Sequence, residues 1–169
     1  CSTYDPRRPT RDPFDGHPTM SGGGPADTRL SAIEDDVLVY QTPPLASEVE
    51  VAGPIEAILY ASTSARDTDW FVRLVDVLPD GSSRMLAEGA MRARNRDPLT
   101  DGEFNAAQLS TIEPDKIYRY VIRFWRGTAN VFKRGHRIRV EISSSWYPSY
   151  LPNLNTGQDN LALATMEHA

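Results

Sequence analysis

The sequence predicts an all-β domain, built as a β-sandwich or jelly roll. Seven or eight short runs alternate apolar with polar residues, clusters of Pro, Gly, Asp and Asn separate them, and no stretch holds a long amphipathic helical period. Many short strands with regular turn signals are the pattern of a two-layer β architecture.

Residues 1–35 stand apart as a proline- and glycine-rich N-terminal loop. Pro6, Pro9, Pro13, Pro18 and Pro25, with Gly16 and Gly22-Gly23-Gly24, disfavour both helix and interior strand. A loop this long is usually functional or a linker. Ser21-Gly-Gly-Gly24 lacks the Lys-Ser/Thr and the strand-to-helix setting of a phosphate cradle, and reads as a backbone bend.

The sandwich is predicted over residues 36–169. Val37-Leu38-Val39-Tyr40 is a short apolar run closed by Pro43-Pro44, and Glu48 to Ala52 alternates with Val49 and Val51 on one face. Ile55 to Gly81 contributes two further runs, separated by the polar segment Ser64 to Asp69. In the second run Trp70, Val72, Leu74 and Asp76 share one side, while Phe71, Arg73, Val75 and Val77 share the other. Neither side is uniformly polar, so this strand is expected inside a sheet with both faces covered. Pro79-Asp80-Gly81 is a tight-turn signal, and the chain resumes as the partner strand from Arg84 to Glu88. The span Asn95 to Thr111 breaks the alternation and predicts a helical turn. Ile117 to Phe124 is a strand after the Glu113-Pro114-Asp115 turn. Arg137 to Ile142 alternates most cleanly, with Ile138, Val140 and Ile142 opposite Arg137, Arg139 and Glu141.

A chain of 169 residues suits one domain, and its 40% hydrophobic and 24% charged content is that of an ordinary globular protein. A net charge of −5 with interspersed signs offers no basic stripe for a nucleic-acid backbone. No apolar run reaches the roughly 20 residues of a membrane-spanning helix. The single cysteine, Cys1, cannot form an internal disulfide, which is compatible with a reducing compartment. Cys1 reads as a domain boundary, with a lipid-anchored chain starting at cysteine as the alternative. The expected location is the bacterial cytoplasm, with a secreted or lipid-anchored parent as the other option.

Catalytic chemistry finds little footing in this chain. Serines abound, notably Ser143-Ser144-Ser145, but no Gly-x-Ser-x-Gly elbow is present. His17 lies in the proline-rich loop, His136 at a turn where a bond to backbone is expected, and His168 beside the end of the sequence. Asp67 and Asp69 have a spacing that oxygen-loving calcium can use. Pairing with Arg66 or Arg73 and capping of backbone amides is the preferred reading, so Arg66, Asp67 and Asp69 are expected as a structural corner with no metal. No cofactor is expected. Trp146, Tyr147 and Tyr150, followed by Asn153-Leu-Asn-Thr-Gly157, read either as an exposed sugar or partner surface or as a plug for the end of the sandwich.

Several phrases taken together carry a family resemblance. They are Tyr4-Asp-Pro-Arg-Arg-Pro9, Asp36-Val-Leu-Val-Tyr40, Val51-Ala-Gly-Pro54, Asp67-Thr-Asp-Trp70, Leu74-Val-Asp-Val77 with Pro79-Asp-Gly81, Asn130-Val-Phe132, Gly135-His-Arg-Ile-Arg139, Ser143-Ser-Ser145 and Asn153-Leu-Asn-Thr-Gly157. Their order and spacing resemble the C-terminal domain of the X-Pro dipeptidyl-peptidase and cocaine esterase (CocE/NonD, peptidase S15) family of serine hydrolases. The resemblance implies a galactose-binding-like jelly roll that accompanies an α/β-hydrolase domain with a Ser-Asp-His triad and a helical cap. It places the triad upstream, so no catalytic residue falls in this chain, which is expected to be inactive alone. The implied partner is that catalytic domain, with a second copy of the chain as a further candidate and neither nucleic acid nor membrane. By the same analogy the N-terminal loop faces the substrate, with His17, Met20 and Asp27 as its candidate residues. Leu151-Pro152 stands where relatives commonly carry Asp-Arg, and the chain stops one or two strands short of the family's closing strands. A stand-alone carbohydrate-binding β-sandwich using the Trp146 to Asn155 loop is the alternative function.

Overall fold

The computed structural model describes residues 2–13, 35–96 and 109–158. Among these residues eight strands form: β1 (Leu38–Gln41), β2 (Val49–Gly53), β3 (Glu56–Ala61), β4 (Asp69–Val77), β5 (Ser83–Arg92), β6 (Tyr118–Arg123), β7 (Thr128–Phe132) and β8 (Arg137–Ser143). Four of them make one antiparallel sheet in the order β1-β8-β4-β5, while β2 pairs with β7 and β3 with β6. The two short ladders are successive parts of one ribbon. Gly53 pairs with Thr128 and Glu56 with Arg123, and between them the Phe124 amide donates to the Ile55 carbonyl at 3.0 Å. The architecture is the all-β sandwich that the alternation predicts.

The β4–β5 hairpin forms where Pro79-Asp80-Gly81 signals it. Gly81 adopts a φ of +84°, its amide donates to the Leu78 carbonyl at 3.0 Å, and the Leu78 amide donates to the Ser82 carbonyl at 2.8 Å. All nine residues of β4 are buried, because β8 and β5 flank it and both of its faces are covered. On one face Trp70 and Val72, with Ile142 from β8, pack against Tyr120 and Ile122 of β6, closed by Ala93 and Ile112. That is the main core, and it lies between the four-stranded sheet and the β3–β6 ladder. The Ile138/Val140/Ile142 periodicity is met: Val140 and Ile142 join this core, in register with Leu74 and Val72.

The other face of the four-stranded sheet has a different cover. Phe71 packs with Val37 and Trp146, and Ala90 and Tyr150 border that cluster. Arg73 lies one step further along β4, in register with Glu88 of β5 on one side and Glu141 of β8 on the other. No sheet covers this row among the described residues; the N-terminal strap (residues 4–12) and the loop after β8 do.

Two departures from the expected elements stand out. β7 was absent from the periodic runs, since Thr128-Ala-Asn-Val-Phe132 is short and offers only Val131 and Phe132 as bulky apolar residues. The helical turn expected from Asn95 to Thr111 falls largely outside the described residues, and a 3₁₀ turn at Ala93–Asn95 precedes it.

Candidate interdomain face

The strap is stitched to the sandwich at four points. The Tyr4 hydroxyl donates to the Asn153 carbonyl at 3.0 Å. The Thr10 amide donates to Ser145 Oγ at 2.9 Å, and the Thr10 hydroxyl bonds to the Asp36 carboxylate and lies 3.0 Å from Ser143 Oγ. Beside it, Arg11 and Tyr147 form a parallel bridge: the Tyr147 amide donates to the Thr10 carbonyl and the Asp12 amide to the Tyr147 carbonyl, each at 2.8 Å. Finally, Arg73 Nη2 donates to Asp12 Oδ2 at 3.2 Å. Proline-rich sequence suits this role, because an extended strap spends few of its amides on regular structure and leaves them for anchoring side chains.

Arg73 is the centre of this face. Its side chain is 1% exposed, its Nε donates to Glu88 Oε2 at 2.9 Å, and its guanidinium lies 4.0 Å over the Trp146 ring. The Tyr150 hydroxyl completes the cluster by donating to Glu88 Oε1 at 3.0 Å. A buried guanidinium is tolerable when carboxylates and an aromatic face replace its water, as here. Burial and the neighbouring Glu88 carboxylate push the Tyr150 phenol well above its usual range, so it serves as a neutral donor. Tyr4 is raised likewise, by burial first and then by Asp69, Asp36 and Asp5.

Ser143-Ser144-Ser145 is therefore a docking element for the strap. Ser143 Oγ donates to the Ser145 carbonyl at 3.0 Å, and both side chains are buried. His136 is the only histidine among the described residues. It departs from the expected bond to backbone: its Nδ1 lies 2.9 Å from Asp76 Oδ1, across the β4–β8 register from the serines' end of the strand. Its ring thus pairs with a carboxylate at the end of β8 opposite Ser143.

Asp67 and Asp69 pair with arginines other than the expected Arg66 and Arg73. Arg92 Nε donates to Asp69 Oδ1 at 2.9 Å, and Arg94 Nε lies 3.1 Å from Asp67 Oδ2. The reason is register: Arg92 sits directly across from Asp69, whereas Arg73 is four residues along the strand, roughly 13 Å away at about 3.3 Å per residue. The Arg66 carbonyl instead accepts the Ile112 amide. Asp67 Oδ1 does cap a backbone amide, that of Arg94, and Asn153 Nδ2 donates to Asp69 Oδ1. Burial raises the Asp67 carboxyl, against the pull of Arg94 and Arg92. Among the described residues no group of three or more potential ligands is arranged to hold a metal ion, and no helix is long and apolar enough to cross a membrane.

Of the three loop aromatics, Trp146 is fully buried under Arg73, a correction to the exposed-surface option. Tyr150 stacks between Phe71 and Trp125, with centroids 4.7 and 5.7 Å away. Tyr147 remains partly exposed, and Trp125 and Leu151 are exposed as well. Trp125 was not singled out from the sequence; as a lone tryptophan after a strand it carried no spacing signal. His17, Met20 and Asp27 lie outside the described residues.

Residues 1–169 match the family described as "X-Pro dipeptidyl-peptidase C-terminal non-catalytic domain". The chain belongs to that family. It is 42% identical over 154 residues to cocaine esterase of Rhodococcus sp. (strain MB1 Bresler), a match covering 86% of this chain and 25% of the relative. Among solved structures, an aminopeptidase from the marine sediment archaeon Thaumarchaeota archaeon superposes with a TM-score of 0.82 at 34% identity, over 97% of this chain and 28% of that one. An α-amino acid ester hydrolase superposes with a TM-score of 0.77 at 28% identity, over 90% and 26% of the two chains. The domain thus spans about a quarter of the length of these hydrolases.

Proposed function

We propose that this domain packs on the α/β-hydrolase domain of a serine ester or peptide hydrolase and shapes the mouth of its substrate pocket. The observation that carries the reading is the strap: a segment without regular structure is held at Tyr4, Thr10 and Asp12 by buried partners on one face of the sandwich. Such anchoring fixes the path of residues 4–12 along this face of the sandwich. The catalytic triad belongs to the hydrolase domain, and the non-catalytic domain contributes position and a water-excluding wall.

The test is kinetic. The parent hydrolase and a form lacking this domain are compared on p-nitrophenyl acyl esters, amino acid esters and X-Pro-p-nitroanilides. Loss of the wall should raise KM on the preferred class by an order of magnitude or more, with the serine nucleophile still titratable by an active-site inhibitor. Unchanged kinetics on all three classes would defeat the proposal. The separate domain should show no turnover, and inhibitor-sensitive hydrolysis by it would be equally damaging. The sugar-binding alternative loses its central residue, since the Trp146 ring is covered by Arg73 and has no free face for a sugar.

A further inference from the structure

We propose that the outer face of the ribbon formed by β2, β3, β6 and β7 takes a second copy of this protein, ribbon against ribbon about a two-fold axis. The exposed large apolar residues among those described fall in three groups. Val39 and Tyr40 lie on β1, and Leu109, Trp125, Tyr147 and Leu151 lie outside the strands. Ile58 and Tyr60 of β3 and Val131 of β7 lie on the ribbon, with Ile117 one residue ahead of β6. Register sets the ribbon apart from the other two groups. Along β3, Glu56, Ile58 and Tyr60 point outward while Ala57, Leu59 and Ala61 pack toward the core. Along β6, Arg119, Val121 and Arg123 share the outer side, opposite Tyr118, Tyr120 and Ile122.

The outward residues form cross-strand rows. Glu56 is opposite Arg123, Ile58 opposite Val121, and Tyr60 opposite Arg119. The first row is an exposed ion pair at 3.6 Å, the second is aliphatic on both strands, and the third sets an aromatic ring beside a guanidinium. Further along the ribbon Ala52 is opposite Ala129 and Glu50 opposite Val131, and all four are exposed. Each of the three rows of the β3–β6 ladder thus joins two groups that attract each other: carboxylate and guanidinium, two aliphatic chains, phenol ring and guanidinium.

A surface with such rows is complementary to itself. A two-fold axis running along the ribbon, midway between β3 and β6, lays β3 of one copy over β6 of the other at the same height. Glu56 of each copy then faces Arg123 of the other, which closes an alternating ring of four charges. Ile58 faces Val121, and the Tyr60 ring faces the Arg119 guanidinium. A two-fold axis across the strands at the Ile58 row would instead set Arg123 over Arg119, like charge on like, so the charges select the first arrangement. Aligned packing of the two ribbons within about 30° keeps the rows in contact. Exposed ion pairs add little stability, so the apolar row supplies the attraction and the charged rows set the register. A face two strands wide is smaller than the roughly 800 Å² per partner of a standard interface, so the dimer is expected to be weak, with Kd on the order of 10 µM.

Sedimentation velocity of the full-length hydrolase over a concentration series tests this, with circular dichroism to confirm that each variant is folded. The parent should pass from monomer to dimer as its concentration rises. Ile58→Glu should raise Kd about tenfold or more, and so should Glu56→Arg or Arg123→Glu alone, because each charge reversal sets like charges face to face. The Glu56→Arg and Arg123→Glu variants, mixed in equal amounts, should pair with each other about as well as the parent pairs with itself. Energy transfer between separately labelled batches reads that mixed dimer. A hydrolase that sediments as a monomer throughout would overturn the proposal. A dimer indifferent to Ile58→Glu and to both charge reversals would place the contact elsewhere and overturn it equally. Reversals that weaken the dimer without recovery on mixing would refute the axis along the ribbon.

Discussion

Replacing Arg73 with methionine is the most incisive perturbation of this domain. The guanidinium bonds to Asp12 at 3.2 Å and to Glu88 at 2.9 Å, lies 4.0 Å over Trp146, and shares its row with the fully buried Glu141. Methionine fills much of the volume but removes the guanidinium that donates to the buried Asp12 carboxylate and to Glu88. Breaking a buried pair by removing one partner costs about 3–5 kcal/mol. The cation–π contact is worth up to about 2 kcal/mol when desolvated, and it overlaps that figure instead of adding to it. For a domain of 169 residues each kcal/mol moves Tm by roughly 2–4 °C, so a fall on the order of 10 °C is expected. The decisive comparison is a double-mutant cycle by urea denaturation at pH 7, followed by circular dichroism. Arg73→Met combined with Asp12→Asn should be less destabilised than the sum of the two single variants, by about 1–3 kcal/mol. Additive losses, or an Arg73→Met variant as stable as the parent, would refute the view that the strap is held by a desolvated charge cluster.

Two further outcomes follow from the same geometry. Tyr4, Tyr120 and Tyr150 all have raised pKa values, so each stays protonated in the folded chain after it would ionise in the unfolded one. Their contribution is fully present below the unfolded value of about 10 and is lost as pH rises above it, so stability should fall in alkali. Absorbance at 295 nm should show their ionisation coinciding with unfolding, and Tyr4→Phe should lessen the slope of stability against pH; smooth, non-cooperative ionisation of all seven tyrosines would contradict this. Gly89→Ala places a Cβ 2.8 Å from the Arg123 carbonyl oxygen, a backbone atom that cannot swing away. Overpacking of this kind costs about 1–3 kcal/mol, and thermal unfolding with no loss of Tm would show that β5 and β6 are looser than they stand.

The fold was legible because alternation is a local signal that tertiary packing then reinforces. β4 reads as buried on both faces from Trp70 and Val72 opposite Phe71 and Val75, and it is. β8 reads correctly for the same reason. Charge pairing was less legible, because it depends on which strand lies alongside. Arg73 and Arg92 look equivalent in the sequence, yet the antiparallel β4–β5 register gives Arg92 to Asp69 and leaves Arg73 to Glu88 and the strap. The face itself was hardest to foresee. Thr10 meets Ser143 and Ser145 across more than 130 positions of sequence, and no periodic pattern records such a contact. Trp146 and Trp125 illustrate the same limit: one is wholly buried and the other stands in water, and only the placement of Arg73 and Tyr150 separates them.

The two covers of the four-stranded sheet explain how one small sandwich can serve a larger enzyme. On one side apolar packing against β3 and β6 supplies non-directional burial that tolerates many substitutions of similar volume. On the other side a guanidinium, three carboxylates and an indole meet in a row, where geometry matters more than bulk. Such a cluster is a poor source of net stability, since hydrophobic replacements of equal volume often do as well. Its worth lies in register: Asp12 can satisfy Arg73 only when the strap runs beside Tyr147 in the one alignment that also places Thr10 on Ser145. A sandwich held together by its apolar face alone would keep its fold with the strap adrift. A strap aligned by charge holds residues 4–12 in one constant relation to the loop after β8, the kind of fixed geometry that side chains of a built surface need.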